Sequence, residues 1–329
     1  MNVHRSNTTE QYNGTTGVTS SCIQSSTCLG FYIACSIVGA TGVFSNGMVL
    51  AVVGREKRLH TVTYTSISCL ALADFVYITS RFARDNMRFW YSEKTEISVN
   101  FSRACDMLSI SGACASILHV ILLSMLRYYI VVHPLKSHVW LTVRRVKLVS
   151  LGVWFLAIAI ASFYVYAVVI NGRVNIQLAK FTNLAVTIVM SVLPIVLIGT
   201  LHILKARTLL RSLAACRKST VRRMSRMVTL IITTFMVTTL PSSVADCIKI
   251  AYMESGTLQV HMHWLIVLQY VGRLGLYINF TINPFIYLVS SPQFRKATMC
   301  CQGNRQIYGV SSLSYESNYP STFNTSYGT

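Results

Sequence analysis

The chain has 329 residues, 53% of them hydrophobic and only 12% charged, with a formal net charge of +19. A soluble domain carries about 25% charged residues, so this composition excludes an ordinary soluble protein and points to one embedded in a membrane. The basicity would suit a nucleic-acid binder, but the bases lie between apolar segments, and the ten cysteines show neither a CxxC pair nor Cys/His metal spacing.

Residues 1–28 are expected to form an outer tail. The start, "MNVHRSNTTEQYNGTT", has no apolar core of the kind a cleaved signal needs, so the first span is expected to direct insertion. Asn7 and Asn13 stand in glycosylation sequons there, as does Asn100 in the loop after the second span. Crossing a bilayer core of ~30 Å takes about 20 mostly apolar helical residues. Seven segments qualify: 29–53, 61–83, 104–130, 146–170, 181–205, 224–250 and 263–289. Prolines 194, 241 and 284 fall inside three of them, which neighbouring helices can tolerate. The expected fold is therefore an all-α integral membrane bundle. Residues 290–301, "SSPQFRKATMCC", read as a short amphipathic helix with Phe294 toward lipid, and 302–329 as a disordered tail.

The loops after the first, third, fifth and seventh spans hold most of the Lys and Arg; the third-to-fourth loop, for instance, carries Lys136, Arg144, Arg145 and Lys147. The positive-inside rule then predicts a plasma-membrane protein with its amino terminus outside and its carboxyl terminus in the cytosol. That accounts for the charge without nucleic acid.

Polar groups at membrane depth are costly and point to function. Asp74 lies mid-span in "SCLALADFVYI", Asn46 in the first span, Ser116 in the third, and Asn279 and Asn283 in "YINFTINPFIY". Converging, they would make a carboxylate with amide and hydroxyl partners, suited to a small cation and water. The plainer reading is that each amide bonds a neighbouring helix.

These motifs, in this order, resemble the rhodopsin-like (class A) G-protein-coupled receptors over residues 30–301. Asn46 resembles the first-helix asparagine and Asp74 the second-helix acid. Arg127 in "LRYYIVVHPL" resembles the arginine of the Asp-Arg-Tyr box, followed by Tyr128 and, at the expected spacing, Pro134. Trp154 and Pro194 match the fourth- and fifth-helix landmarks, Phe235 and Pro241 the sixth-helix switch, and "NPFIY" ending at Tyr287 the seventh-helix motif. The resemblance implies a non-enzymatic receptor whose sixth helix swings outward, so that Arg127 helps form the pocket for a heterotrimeric G protein. It implies no cofactor beyond a structural sodium ion at Asp74, lipid-modified Cys300 and Cys301, and arrestin recruitment by a phosphorylated tail including Ser311, Ser312, Ser314 and Ser317.

The sequence departs from that pattern in places. The acid expected before Arg127 is Leu126, and the sixth-helix acid position holds Val221. Thr239 replaces the sixth-helix tryptophan and His202 the fifth-helix tyrosine. The second outer loop has no cysteine for Cys105, which leaves Cys22 or Cys28 as candidate partners. Ser109 stands where amine receptors carry an aspartate, and Tyr277 where opsins carry their lysine.

The outer half is rich in bases. Arg81, Arg84 and Arg88 share one helical face, with Lys249 in the sixth span and Arg273 in the seventh. Acids Asp85, Asp106 and Asp246 are near in sequence, so internal ion pairing competes with a cavity for a carboxylate or phosphate, which Arg suits. A peptide is the leading ligand on the breadth of the family; an acidic lipid or small carboxylate is second. A transporter would show repeated halves with broken helices, and none is visible. An intramembrane protease would need a pair such as Ser111 and His119 in contact, but eight residues of helix separate them by more than ~10 Å.

Overall fold

The computed structural model describes residues 26–90, 95–170, 175–211, scattered helical positions between 229 and 248, and 262–300. The regular structure among them is helical: α1 Ser26–Arg55, α2 Val62–Trp90, α3 Glu96–Val132, α4 Val143–Tyr164, α7 Met262–Ser290 and α8 Pro292–Cys300. Between α4 and α7, α5 runs through Ile176–Thr187, a π-helical turn Ile188–Val192 and Leu193–Arg211, and the helical positions between 229 and 248 make α6. Six of the described helices are long and apolar enough to cross a membrane.

Local chemistry sets the helix ends. Thr95 caps α3, its hydroxyl accepting the Ser98 N–H at 3.2 Å, with Glu96 in the first turn. This cap starts α3 eight residues before the apolar run begins at 104. Asn100 therefore lies on a helix rather than in the expected loop; it stays exposed and its side-chain oxygen accepts from Arg103 at 3.4 Å. At the other end of α3, His133 closes the helix and Pro134 opens a seven-residue loop helix, Pro134–Trp140. Thr142 caps α4, accepting the Arg145 N–H at 3.3 Å. Arg145 donates to the Trp140 carbonyl at 2.7 Å and lies over the indole ring, which fixes this basic loop.

α2 and α3 lie along one another, α1 packs on α2 and α7, and α3 also meets α4 and α5. A close approach lies at Gly112 of α3, where an added Cβ would sit 2.7 Å from the Tyr77 backbone nitrogen. Small residues at such crossings let apolar helices touch where lipid offers no hydrophobic drive. Gly275 does the same for α6 and α7, facing the Thr238 carbonyl at 2.6 Å.

The main apolar cluster lies at the Arg127 end and draws Val49, Val53, Leu70, Leu123, Ile198, Ile286 and Tyr287 from five helices. Phe294 belongs to it. Its ring is wholly buried, edge-on to Tyr287 at 6.3 Å, so α8 turns it into the bundle rather than toward lipid. Met299 is the exposed apolar side chain on α8. A second cluster, Tyr77, Ile78 and Phe280, lies toward the opposite end, and Asp74 sits between the two layers.

Candidate functional site

Asp74 is fully buried and accepts two hydrogen bonds, from the Ser116 hydroxyl at 2.5 Å and the Asn283 amide at 2.7 Å. The site thus joins α2, α3 and α7. Both donors are neutral, so they satisfy the carboxylate oxygens without balancing its charge. Asn279 is buried one turn before Asn283, but among the described residues it makes no bond to Asp74.

Asn46 does something different. Pro284 has no N–H, so the carbonyl four residues back, that of Phe280, lacks its helical donor. The Asn46 amide supplies one at 2.9 Å and a second bond to the Gly42 carbonyl at 3.0 Å. α1 thereby repairs the break in α7 from outside, and the Asn46 side-chain oxygen is left with no donor among the described residues. A carboxylate, a hydroxyl and this amide oxygen are hard oxygen ligands, the kind a small cation takes. The oxygens of Asp74 and Ser116 are thus of the chemistry that the expected sodium ion takes.

Arg127 is only 4% exposed. Leu126 beside it is also buried. Tyr128 is half-buried with His133 edge-on at 6.4 Å. Tyr64 bonds the Ser291 hydroxyl at 2.6 Å and the Gln293 side chain at 3.1 Å. Neither Tyr64 nor Ser291 stands out in the sequence, because the contact spans 227 residues.

In α6, Phe235 and Thr239 are buried, and the Thr239 hydroxyl donates to the Phe235 carbonyl at 2.6 Å. Pro241 is helical, and Pro194 is buried just after the π turn of α5.

At the opposite end the acids and bases meet. Arg81 pairs with Asp85 at 3.5 Å and Arg84 with Asp106 at 2.9 Å. The Tyr277 hydroxyl donates to Asp85 at 3.0 Å, and the charge of Arg273 also acts on Asp85. Arg273 lies over the Tyr270 ring, 5.9 Å from its centre. Asp85 is thus the hub of this end, a role its spacing of four from Arg81 could have suggested. Ser109 is buried and donates back to the Asp106 carbonyl at 3.0 Å, so its hydroxyl is turned to its own helix. Cys105 is a buried thiol outside any disulfide among the described residues. Ser111 donates to the Met107 carbonyl, while His119 bonds Ser150 of α4 at 2.7 Å, so the Ser111–His119 pair does not form.

Asn7, Asn13, Val221, Asp246, Lys249, Cys301 and the tail lie outside the described residues, as does the Cys300 side chain.

Residues 45–287 match the family described as 7 transmembrane receptor (rhodopsin family). Growth hormone secretagogue receptor type 1 of Oryctolagus cuniculus is 26% identical over 294 residues, covering 82% of this chain and 79% of the relative. Somatostatin receptor type 2 of Mus musculus is 24% identical over 284 residues, covering 79% and 73%. With the family match extending over well more than half of the chain, on a membrane helical bundle whose motifs stand in the family's order, this protein belongs to the rhodopsin family of seven-transmembrane receptors, which are receptors and not enzymes.

Proposed function

We propose that this receptor lies in the plasma membrane with its amino terminus outside, and that it passes the binding of an extracellular ligand to heterotrimeric G proteins by outward movement of α6. Arg127 carries the reading. It is an arginine held in the bundle at the end of α3, at the face where the basic loops gather. A planar guanidinium there can bond the backbone carbonyls of an inserted partner helix.

A peptide remains the first choice of ligand, and the relatives named for a growth hormone secretagogue and for somatostatin support a diffusible messenger. An acidic lipid or small carboxylate is the second reading. It is favoured by Arg81, Arg84 and Arg273 converging on two acids, Asp85 and Asp106, which leaves an excess of one positive charge among these five groups. In either case Arg81, Arg273 and Tyr277 would line the entry, with Lys249 and Asp246 of the sixth predicted span as further candidates.

Asp74, Ser116 and Asn46 would hold sodium and so favour the resting state by population shift. Glycans at Asn7, Asn13 and Asn100, acylation of Cys300 and Cys301, contact with membrane lipid, and arrestin recruitment by the tail complete the proposal. A screen of secreted peptides and of carboxylates, read on a panel of G-protein dissociation sensors, tests it. A hit in either class that is silent in untransfected cells supports the reading and chooses between the two ligands.

A further inference from the structure

The contact between Tyr64 and the start of α8 has no counterpart in the motifs above. α8 opens with Pro292 in its first position, and Ser291 caps it by accepting the Phe294 N–H at 3.2 Å. The Ser291 N–H in turn donates to the Tyr287 carbonyl at 2.9 Å, so cap and Tyr287 turn are one unit. Tyr64 reaches this unit from α2 with two bonds, at 2.6 Å to Ser291 and 3.1 Å to Gln293. The hydrogens are consistent. Tyr64 donates to Gln293, Ser291 donates to Tyr64, and the Ser291 oxygen is left to accept from Phe294. The tyrosine ring is buried in the main apolar cluster.

We propose that Tyr64 is a positioning residue for G-protein coupling: its hydroxyl ties the end of α2 to the α8 cap and so holds the Tyr287 turn in its resting place. This rests on the coupling role of Arg127 proposed above. For the Tyr287 turn to shift, this tie must loosen.

Tyr64→Phe keeps the buried ring and removes the hydroxyl alone. Two readouts are taken. In purified receptor, backbone hydrogen exchange at 293–297 should become faster. In cells at matched surface expression, basal G-protein dissociation should rise about threefold, the effect of losing roughly one hydrogen bond from the resting state. Gln293→Ala, at an exposed position, should raise it less, and adding Arg127→Ala to Tyr64→Phe should return it to the level of Arg127→Ala alone. Unchanged exchange would overturn the tie. Faster exchange with basal output unchanged or lower would overturn the role in coupling and leave Tyr64 as packing. If wild type and Arg127→Ala were alike on every sensor, the coupling reading itself would fall, taking the role assigned to Tyr64 with it, while the exchange data would still decide whether the tie exists.

Discussion

Asp74 has exchanged water for two neutral donors, Ser116 and Asn283, and a carboxylate so placed invites a cation. If sodium fills that role, it binds the folded receptor and stabilises it by mass action. Replacing choline chloride with sodium chloride at constant ionic strength should raise the melting temperature of the purified protein by roughly 2–4 °C. Asp74→Asn should abolish that difference, and a sodium effect of equal size in the variant would remove Asp74 from the site. Beside Arg127, restoring the missing carboxylate tests the opposite sign from the Tyr64 variant. Leu126→Asp adds a charge-assisted bond of ~1 kcal/mol. Basal output should fall about fivefold for that energy. An unchanged basal level would mean that Arg127 is already fully held by other groups.

Between helices, a tight constraint is the α2–α3 crossing at Gly112. Gly112→Ala puts a methyl group on the Tyr77 and Ala73 backbone, neither of which can swing aside as a side chain would. A cost of about 1–3 kcal/mol is expected from such overpacking, seen as a lower melting temperature and less receptor at the surface; wild-type stability would show that the helices separate easily. Much of this level was legible in advance. Apolar length marked the spans, and the three groups that meet at Asp74 were each conspicuous as polar residues at membrane depth. What could not be read were relations between distant segments. The need created by Pro284 is local, but that Asn46 meets it, 234 residues from Phe280, depends on how α1 lies against α7. The early start of α3 comes from a capping threonine outside the apolar run, and the inward turn of Phe294 from the way α8 folds back on Tyr287, which amphipathic spacing alone does not decide.

Taken as a whole, the molecule has an asymmetry of charge. One end gathers basic loops around Arg127, and the other holds bases largely balanced by Asp85 and Asp106. Recognition of an acidic ligand at that second end should fall unequally on the arginines. Arg81 is already engaged by Asp85, whereas Arg273, on a different helix, has an aromatic face beneath it. Arg273→Ala should weaken an acidic ligand by about 1.5–3 kcal/mol, the scale of a hydrogen bond to a charged group, and Arg81→Ala by less. Equal potency in both variants and wild type, at matched expression, would assign all of these bases to internal pairing. The central claim concerns the other end, and basal dissociation of G proteins in cells expressing wild type or Arg127→Ala at equal surface density tests it most directly. The account predicts a wild-type signal above untransfected cells on at least one sensor, and its loss in Arg127→Ala. Equal signals from the two receptors would contradict the role of Arg127 and the reading of the protein as a G-protein transducer built around it.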